Sequence, residues 1–286
     1  MFVAFFGLIL GGVVDVVLLY THPGGLDSAR TRSWGEINYS LPLARKYVAN
    51  AGRFVVVTSF GVPSVREPYA EYVDRNTFLP VEFHATTNSI TIQWYFPELR
   101  ERLGLTNPFL VVEDDVFLAR PIRGEDVRPC GDVHFGLKTR STLRLDPTVR
   151  ATSRTVGVLE DTLGFGASYQ PAHAPYLVDV ERVRWLWGVL DVGSSLTLER
   201  SERNLNFVFA NAVAAEKGPL RPCKESDVQF VRMGIPLWKF KNDLSAVLKN
   251  FRGWAICVND EVDVFSARFY YDSYREVLHS FLESLF

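Results

Sequence analysis

Three adjacent carboxylates, Glu113, Asp114 and Asp115, follow the apolar run Phe109-Leu110-Val111-Val112 and are themselves followed by Val116-Phe117. Carboxylates set side by side repel one another unless a cation or a proton relieves them. Oxygen-rich sites of this kind suit Mg²⁺ or Mn²⁺, which bridge diphosphate oxygens. Open α/β folds bind their ligands at the carboxyl ends of strands, and an apolar run that ends in acid marks such an end. A charged turn after a strand is the plain alternative, and the hydrophobicity on both sides weighs against it.

Four further stretches carry groups of the right chemistry. In Gln170-Pro171-Ala172-His173-Ala174-Pro175-Tyr176 two prolines bracket a histidine. They restrict the backbone and hold the imidazole in one direction, as a general base or a partner of phosphate needs; a lone histidine is otherwise structural. Arg200-Ser201-Glu202-Arg203-Asn204 precedes an apolar helix that Ser201 or Asn204 would cap. An arginine there can grip a phosphate with two hydrogen bonds, or the segment is a solvated cap. Asp15 interrupts an apolar strand and reads either as part of a nucleotide pocket or as a strand-end residue facing water. Trp254-Ala255-Ile256-Cys257-Val258 runs into Asn259-Asp260, a second apolar strand with polar groups at its end, or else a simple turn.

The elements that must position these groups follow from periodicity. Val13 to Tyr20, Phe54 to Thr58 and Phe109 to Val112 are continuously apolar, as strands covered on both faces are. Helical spacing appears over Glu36 to Asn50, Val178 to Leu190, Asn204 to Glu216 and Tyr274 to Phe286. Alternation of strand and helix predicts a largely parallel sheet. Residues 139 to 170 are polar and rich in Arg and Thr, which predicts an active-site loop or an exposed insertion. Met1 to Val14 is apolar without a preceding basic residue and reads mainly as buried strand, with a signal anchor as the alternative.

At 286 residues, 47% hydrophobic and 22% charged, the chain can bury a sizeable core. A net charge of -2 without a basic run argues against a surface for nucleic acid. The cysteines Cys130, Cys223 and Cys257 form no closed disulfide set, their spacing fits no zinc site, and they read as buried or unreactive thiols with room for one bridge.

Together these stretches resemble the stealth family, which includes bacterial capsule phosphotransferases and the N-acetylglucosamine-1-phosphotransferase alpha/beta subunit. Asp15-Val16-Val17-Leu18-Leu19-Tyr20 is similar to its first region, with Tyr20 at the family's Trp position and His22 at its acidic or amide position. Glu36-Ile37-Asn38-Tyr39-Ser40-Leu41, Asn88-Ser89-Ile90 and Glu113-Asp114-Asp115-Val116-Phe117 resemble the second, with Glu113 replacing an Asn. Ala172-His173-Ala174-Pro175, Arg200, Asn204 (in place of Asp) and Phe207 resemble the third. Cys257-Val258-Asn259-Asp260 and the closing Val277 to Phe286 resemble the fourth.

The resemblance implies one α/β domain over 1–286, a glycosyltransferase-A-like core with a mostly parallel central sheet flanked by helices. Residues from about 13 to 130 would form the nucleotide- and metal-binding half, and about 165 to 286 the acceptor- and phosphate-binding half. It implies transfer of hexose-1-phosphate from a nucleotide sugar to a hydroxyl of a glycan or glycoprotein, with Mg²⁺ or Mn²⁺. Asp115, His173 and Arg200 would be catalytic; Asp114, Asp115 and Asp260 would hold metal. Asp15, Asn88, Ser89, Asn204 and Asn259 would bind substrate. The N-terminal apolar segment would allow membrane association, on Golgi or secretory membranes in a eukaryote, with a cytoplasmic location in a bacterium. Two rivals are a metal-dependent glycosyltransferase that releases nucleoside diphosphate and a glycan-binding domain on a decayed scaffold.

Overall fold

The computed structural model describes residues 12–20, 35–59, 66–86, 88–136, 147–164, 169–224, 227–233, 236–260 and 264–286. The expectations for residues 1–11 and for His22 lie outside them, as do the side chains of Asn259 and Asp260. Among the described residues no helix is long and apolar enough to cross a membrane.

Strands β1 (Val14–Tyr20), β2 (Ala51–Thr58), β3 (Ala70–Asp74) and β4 (Phe109–Glu113) form a parallel array in the order β3-β2-β1-β4, and β8 (Tyr176–Val178) joins β4 antiparallel. The apolar runs are continuous because alternate residues enter different cores. Val17, Leu19, Val55, Val57, Phe109 and Val111 pack on one face against α2 (Ser89–Trp94), α3 (Phe96–Leu103), α5 (Val180–Val189) and α7 (Phe207–Glu216). Val16, Leu18, Val56, Leu110 and Val112 face the other side, against Ile37, Leu41 and Ala44 of α1 (Ile37–Tyr47). Each such side chain, fully buried, stabilises the fold by about 1.5–3 kcal/mol. The architecture is mixed α/β, with a mostly parallel central sheet flanked by helices.

A second sheet of three strands lies beyond the carboxyl end of β4. Its order is β5 (Val116–Leu118), β10 (Ala255–Asp260), β9 (Val228–Met233). Strand β10 runs antiparallel to β5 and parallel to β9, while β6 (Gly131–Gly136) and β7 (Tyr169–Pro171) pair antiparallel on their own and the short α6 (Val192–Ser195) follows α5. Helices α8 (Leu237–Asn250) and α9 (Val264–Glu283) cover this sheet through Phe240, Leu244, Val247, Tyr274 and Leu278. Only Asp114 and Asp115 separate β4 from β5, so the acidic cluster is the turn by which the chain passes from one sheet to the next. Helix α9 begins ten residues earlier than the periodicity from Tyr274 predicts.

Three expectations are corrected. Within 139–170, residues Pro147–Leu163 form helix α4, not a loop or insertion. Ala151, Thr155 and Leu159 are each 0% exposed. Two of the stripe's buried positions, Thr152 and Thr155, are polar and disguise its period. Thr155 Oγ1 donates to Ala151 O at 2.7 Å and accepts Asn206 N at 2.7 Å, and Asn206 Nδ2 donates to Thr152 Oγ1 at 2.9 Å. Asn206, not Ser201 or Asn204, caps α7, accepting Phe209 N at 3.1 Å. Third, Cys130 and Cys223 form a disulfide between residues 93 apart in sequence, and Cys257 alone is a free, buried thiol.

Thr155→Val would keep the shape of the side chain and strand the buried Asn206 N–H. Urea unfolding should show a loss of about 1–3 kcal/mol, and Thr155→Ser should recover most of it. An unchanged midpoint in the valine variant would refute the linkage between α4 and α7.

Candidate active site

Strand register brings the separate segments together. Phe109, Leu110 and Val111 pair with Val178, Leu177 and Tyr176, so continuing this antiparallel register carries the 172–175 stretch to the level of residues 112–115. Ala172 N, donating to Cys130 O at 2.8 Å, fixes the approach of that stretch. On the other side Cys257 pairs with Val116, and Val258 N donates to Asp115 O at 3.0 Å. The result is a cluster of Glu113, Asp115, His173 and Cys257 from three distant parts of the chain.

His173 Nε2 forms a short contact with Glu113 Oε2. Its Nδ1 lies 3.3 Å from Asp115 Oδ2 and 3.2 Å from Cys257 Sγ, and Cys257 Sγ lies 3.9 Å from Asp115 Oδ2. Gln93 Nε2 donates to Glu113 Oε1 and to Tyr176 Oη, both at 3.0 Å. Asp115 Oδ1 is buried and has no hydrogen-bond partner among the described residues.

Charge is balanced unevenly. Burial raises the proton affinity of Glu113, but the charge and hydrogen bond of His173, with help from Arg200 and Gln93, hold its carboxyl below the ordinary range. Burial, then the negative charges of Glu36, Asp115 and Glu113, push Asp114 well above its usual value. Asp115 is also raised, by burial and Glu113, against the opposing pull of His173 and Arg200. Burial lowers the basicity of His173, but Asp115 and Glu113 outweigh it and raise it well above 6.5. Burial, then Asp115, pushes the Cys257 thiol up to about 12.

Arg200 completes the arrangement: its charge acts on Glu113 and Asp115, and its Nη2 donates to Ser89 Oγ at 2.7 Å. Asp115, His173, Arg200 and Ser89 are thus gathered at one end of the sheet, with Asp114 beside Glu36. A cleft of about 930 Å³ opens beside His173 and carries Arg120, Lys224, Lys249 and Arg252.

Three of the expected ligand residues are elsewhere or occupied. Asp15 stands at the start of β1, the opposite end of the sheet from Glu113. Its carboxylate accepts Arg53 N at 2.8 Å, Arg53 Nη2 at 3.0 Å and Thr106 N at 3.0 Å. Gly52 makes room for it, since a Cβ there would lie 2.6 Å from Asp15 Oδ1. Asn88 caps α2 by accepting Ile90 N at 3.2 Å, and its Nδ2 donates to Asn204 Oδ1 at 3.0 Å. Asn204 in turn donates to Ser195 O at 2.7 Å and accepts Ser201 N at 2.8 Å. Both amides are 0% exposed, so they tie the Arg200 segment to α2 instead of meeting solvent or substrate.

Four participants had no assigned role in the sequence. Glu36, Glu113 and Cys257 all lie inside stretches singled out by pattern. Gln93 carried no signal at all. Asp115, His173 and Cys257 form a group that could hold a metal ion.

No family model matches the chain. It is 26% identical over 157 residues to the capsular polysaccharide phosphotransferase LcbA of Aeromonas hydrophila. The similarity covers 52% of this chain and 43% of that protein, so the chain matches less than half the length of this relative.

Two outcomes test the site as built. Asp15→Asn should cost about 1–3 kcal/mol in urea unfolding and leave ligand binding by the folded protein unchanged; weakened binding without lost stability would return Asp15 to the site. His173, raised in the folded state, contributes stability fully below about pH 6.5 and loses it as pH climbs through its raised value. Metal-free protein should therefore lose stability across that window, and His173→Gln should lack this share of the decline. Parallel pH profiles would remove the proposed ion pairs.

Proposed function

We propose that this protein transfers hexose-1-phosphate from a nucleotide-diphosphate sugar to a hydroxyl of a glycan or glycoprotein, releasing nucleoside monophosphate. The observation that carries the reading is the convergence of Asp115, His173 and Arg200 in a chain similar to a capsular polysaccharide phosphotransferase. A glycosyltransferase-A-like core is the fold reading that accompanies it.

In this reading the acceptor oxygen attacks the β-phosphorus of the donor. A new O–P bond forms, the bond from that phosphorus to the bridging oxygen breaks, and the anomeric C–O bond is kept. Negative oxygens around phosphorus must be neutralised before a nucleophile can approach. Arg200, steadied by Ser89, grips the transferred phosphate. Asp114 takes the hydroxyl proton: it stands in the same turn as Asp115, and burial with the charges of Glu36, Asp115 and Glu113 strengthens it as a proton acceptor. His173 is held by Glu113 through Nε2 and turns Nδ1 toward Asp115 and Cys257, so it serves the cation side of the site instead of acting as the base.

Asp115 would hold the divalent cation with help from His173, and the buried Oδ1 without a partner suits such a role. A bound cation would supply charge neutralisation at the phosphate oxygens. Asn259 and Asp260 are assigned to the acceptor and metal sides. The basic cleft beside His173 suits the anionic part of a substrate.

A panel of nucleotide sugars, incubated with the protein, a divalent cation and a glycan, tests the reading through the nucleotide released. Nucleoside monophosphate is expected; nucleoside diphosphate would make the protein an ordinary glycosyltransferase. Arg200→Ala should lower turnover at least about 100-fold with the fold intact by circular dichroism, as loss of a charge-stabilising donor does. Near-normal turnover in that variant would reject the phosphate role.

A further inference from the structure

We propose that Asp115 Oδ2, His173 Nδ1 and Cys257 Sγ are three ligands of a four-coordinate zinc-type ion, with the fourth position left for water or substrate. This deepens the reading above by naming the ion. It rests on that reading only for the ion's use, since binding itself is tested without substrate.

The geometry comes first. Around a tetrahedral ion with bonds of about 2.0–2.3 Å, neighbouring ligand atoms stand about 3.3–3.8 Å apart. The three atoms here are separated by 3.2, 3.3 and 3.9 Å. They therefore already occupy one face of such a tetrahedron.

The surroundings agree. A ligating imidazole almost always donates its other N–H to a carboxylate, which fixes the ring and strengthens it as a ligand. His173 meets Glu113 through Nε2, and Glu113 is itself held by Gln93. That carboxylate–imidazole pair turns Nδ1 toward Asp115 and Cys257. Asp115 Oδ1, the second oxygen of the same carboxylate, is buried and has no hydrogen-bond partner among the described residues, so no such bond holds the group away from an ion.

Donor type then decides between ions. Mg²⁺ takes an octahedron of oxygens, whereas a nitrogen, a sulfur and an oxygen suit zinc and its transition-metal neighbours. Three protein ligands with one open position is the catalytic, not the structural, form of a zinc site. The spacing of cysteines along the chain gave no hint, because the three ligands come from residues 115, 173 and 257 and the other two cysteines are bonded to each other.

Cobalt(II) titration of the metal-free full chain provides the test. One equivalent should produce the strong visible bands of four-coordinate cobalt and a near-ultraviolet thiolate-to-cobalt band. That band is assignable to Cys257 because the remaining cysteines form a disulfide. A 100-fold excess of Mg²⁺ should leave both in place. Cys257→Ser should abolish the charge-transfer band and weaken Zn²⁺ binding at least tenfold.

A weak six-coordinate spectrum, displacement by Mg²⁺, or no saturable binding would overturn the proposal. If the serine variant fails to fold, X-ray absorption on the zinc-loaded wild-type chain decides: a sulfur near 2.3 Å supports it, and its absence overturns it. Protein that shows the thiolate band yet releases no nucleoside monophosphate rejects the reaction and keeps the metal site. Protein that turns over with Mg²⁺ and shows no such band does the reverse.

Discussion

Three carboxylates within one turn cannot all be charged and close without a counter-charge, and much of the molecule is arranged around that constraint. Glu113 is relieved by His173, Arg200 and the Gln93 amide. Asp115 is partly relieved by the same two cations. Asp114, facing Glu36 as well as its neighbours, receives no comparable relief, and its proton affinity rises most plainly as a result. One turn therefore holds three carboxyl groups in different electrostatic states. That is the pattern by which acid–base sites separate their roles.

The turn has this power because of where it sits. It is the passage from the five-stranded sheet to the three-stranded one, so it is walled by both. From the central sheet come Glu113 itself and, through the β4–β8 register, His173. From the second sheet comes Cys257, set beside Val116 by antiparallel pairing. The Arg200 segment is tied down separately, through the buried Asn88–Asn204 pair. No single element carries the site; it exists only where two sheets and one helix start meet.

That interleaving also bears on how the two halves of the chain relate. Strand β8 completes the sheet of the first half, and β5, from the first half, forms the edge of the second sheet. Each half therefore relies on backbone hydrogen bonds from the other.

The sequence by itself determined the strands β1, β2 and β4 and the helices around α1, α5 and α7, and it singled out Asp114, Asp115, His173 and Arg200, which the fold brings to one end of the sheet. These were legible because they are local: period, apolar continuity and adjacent charge are written in consecutive residues. Tertiary structure alone decided the rest. Asp15 and Asn88 read as ligands by pattern, and only the fold shows their partners Arg53, Thr106 and Asn204, since an internal hydrogen bond leaves no mark on the chain. Helix α4 was hidden because two of its buried positions are threonines satisfied by Ala151 O, Asn206 N and Asn206 Nδ2. Cys257 read as an inert thiol because its partners lie 84 and 142 residues away, and only strand pairing across two sheets brings them within reach.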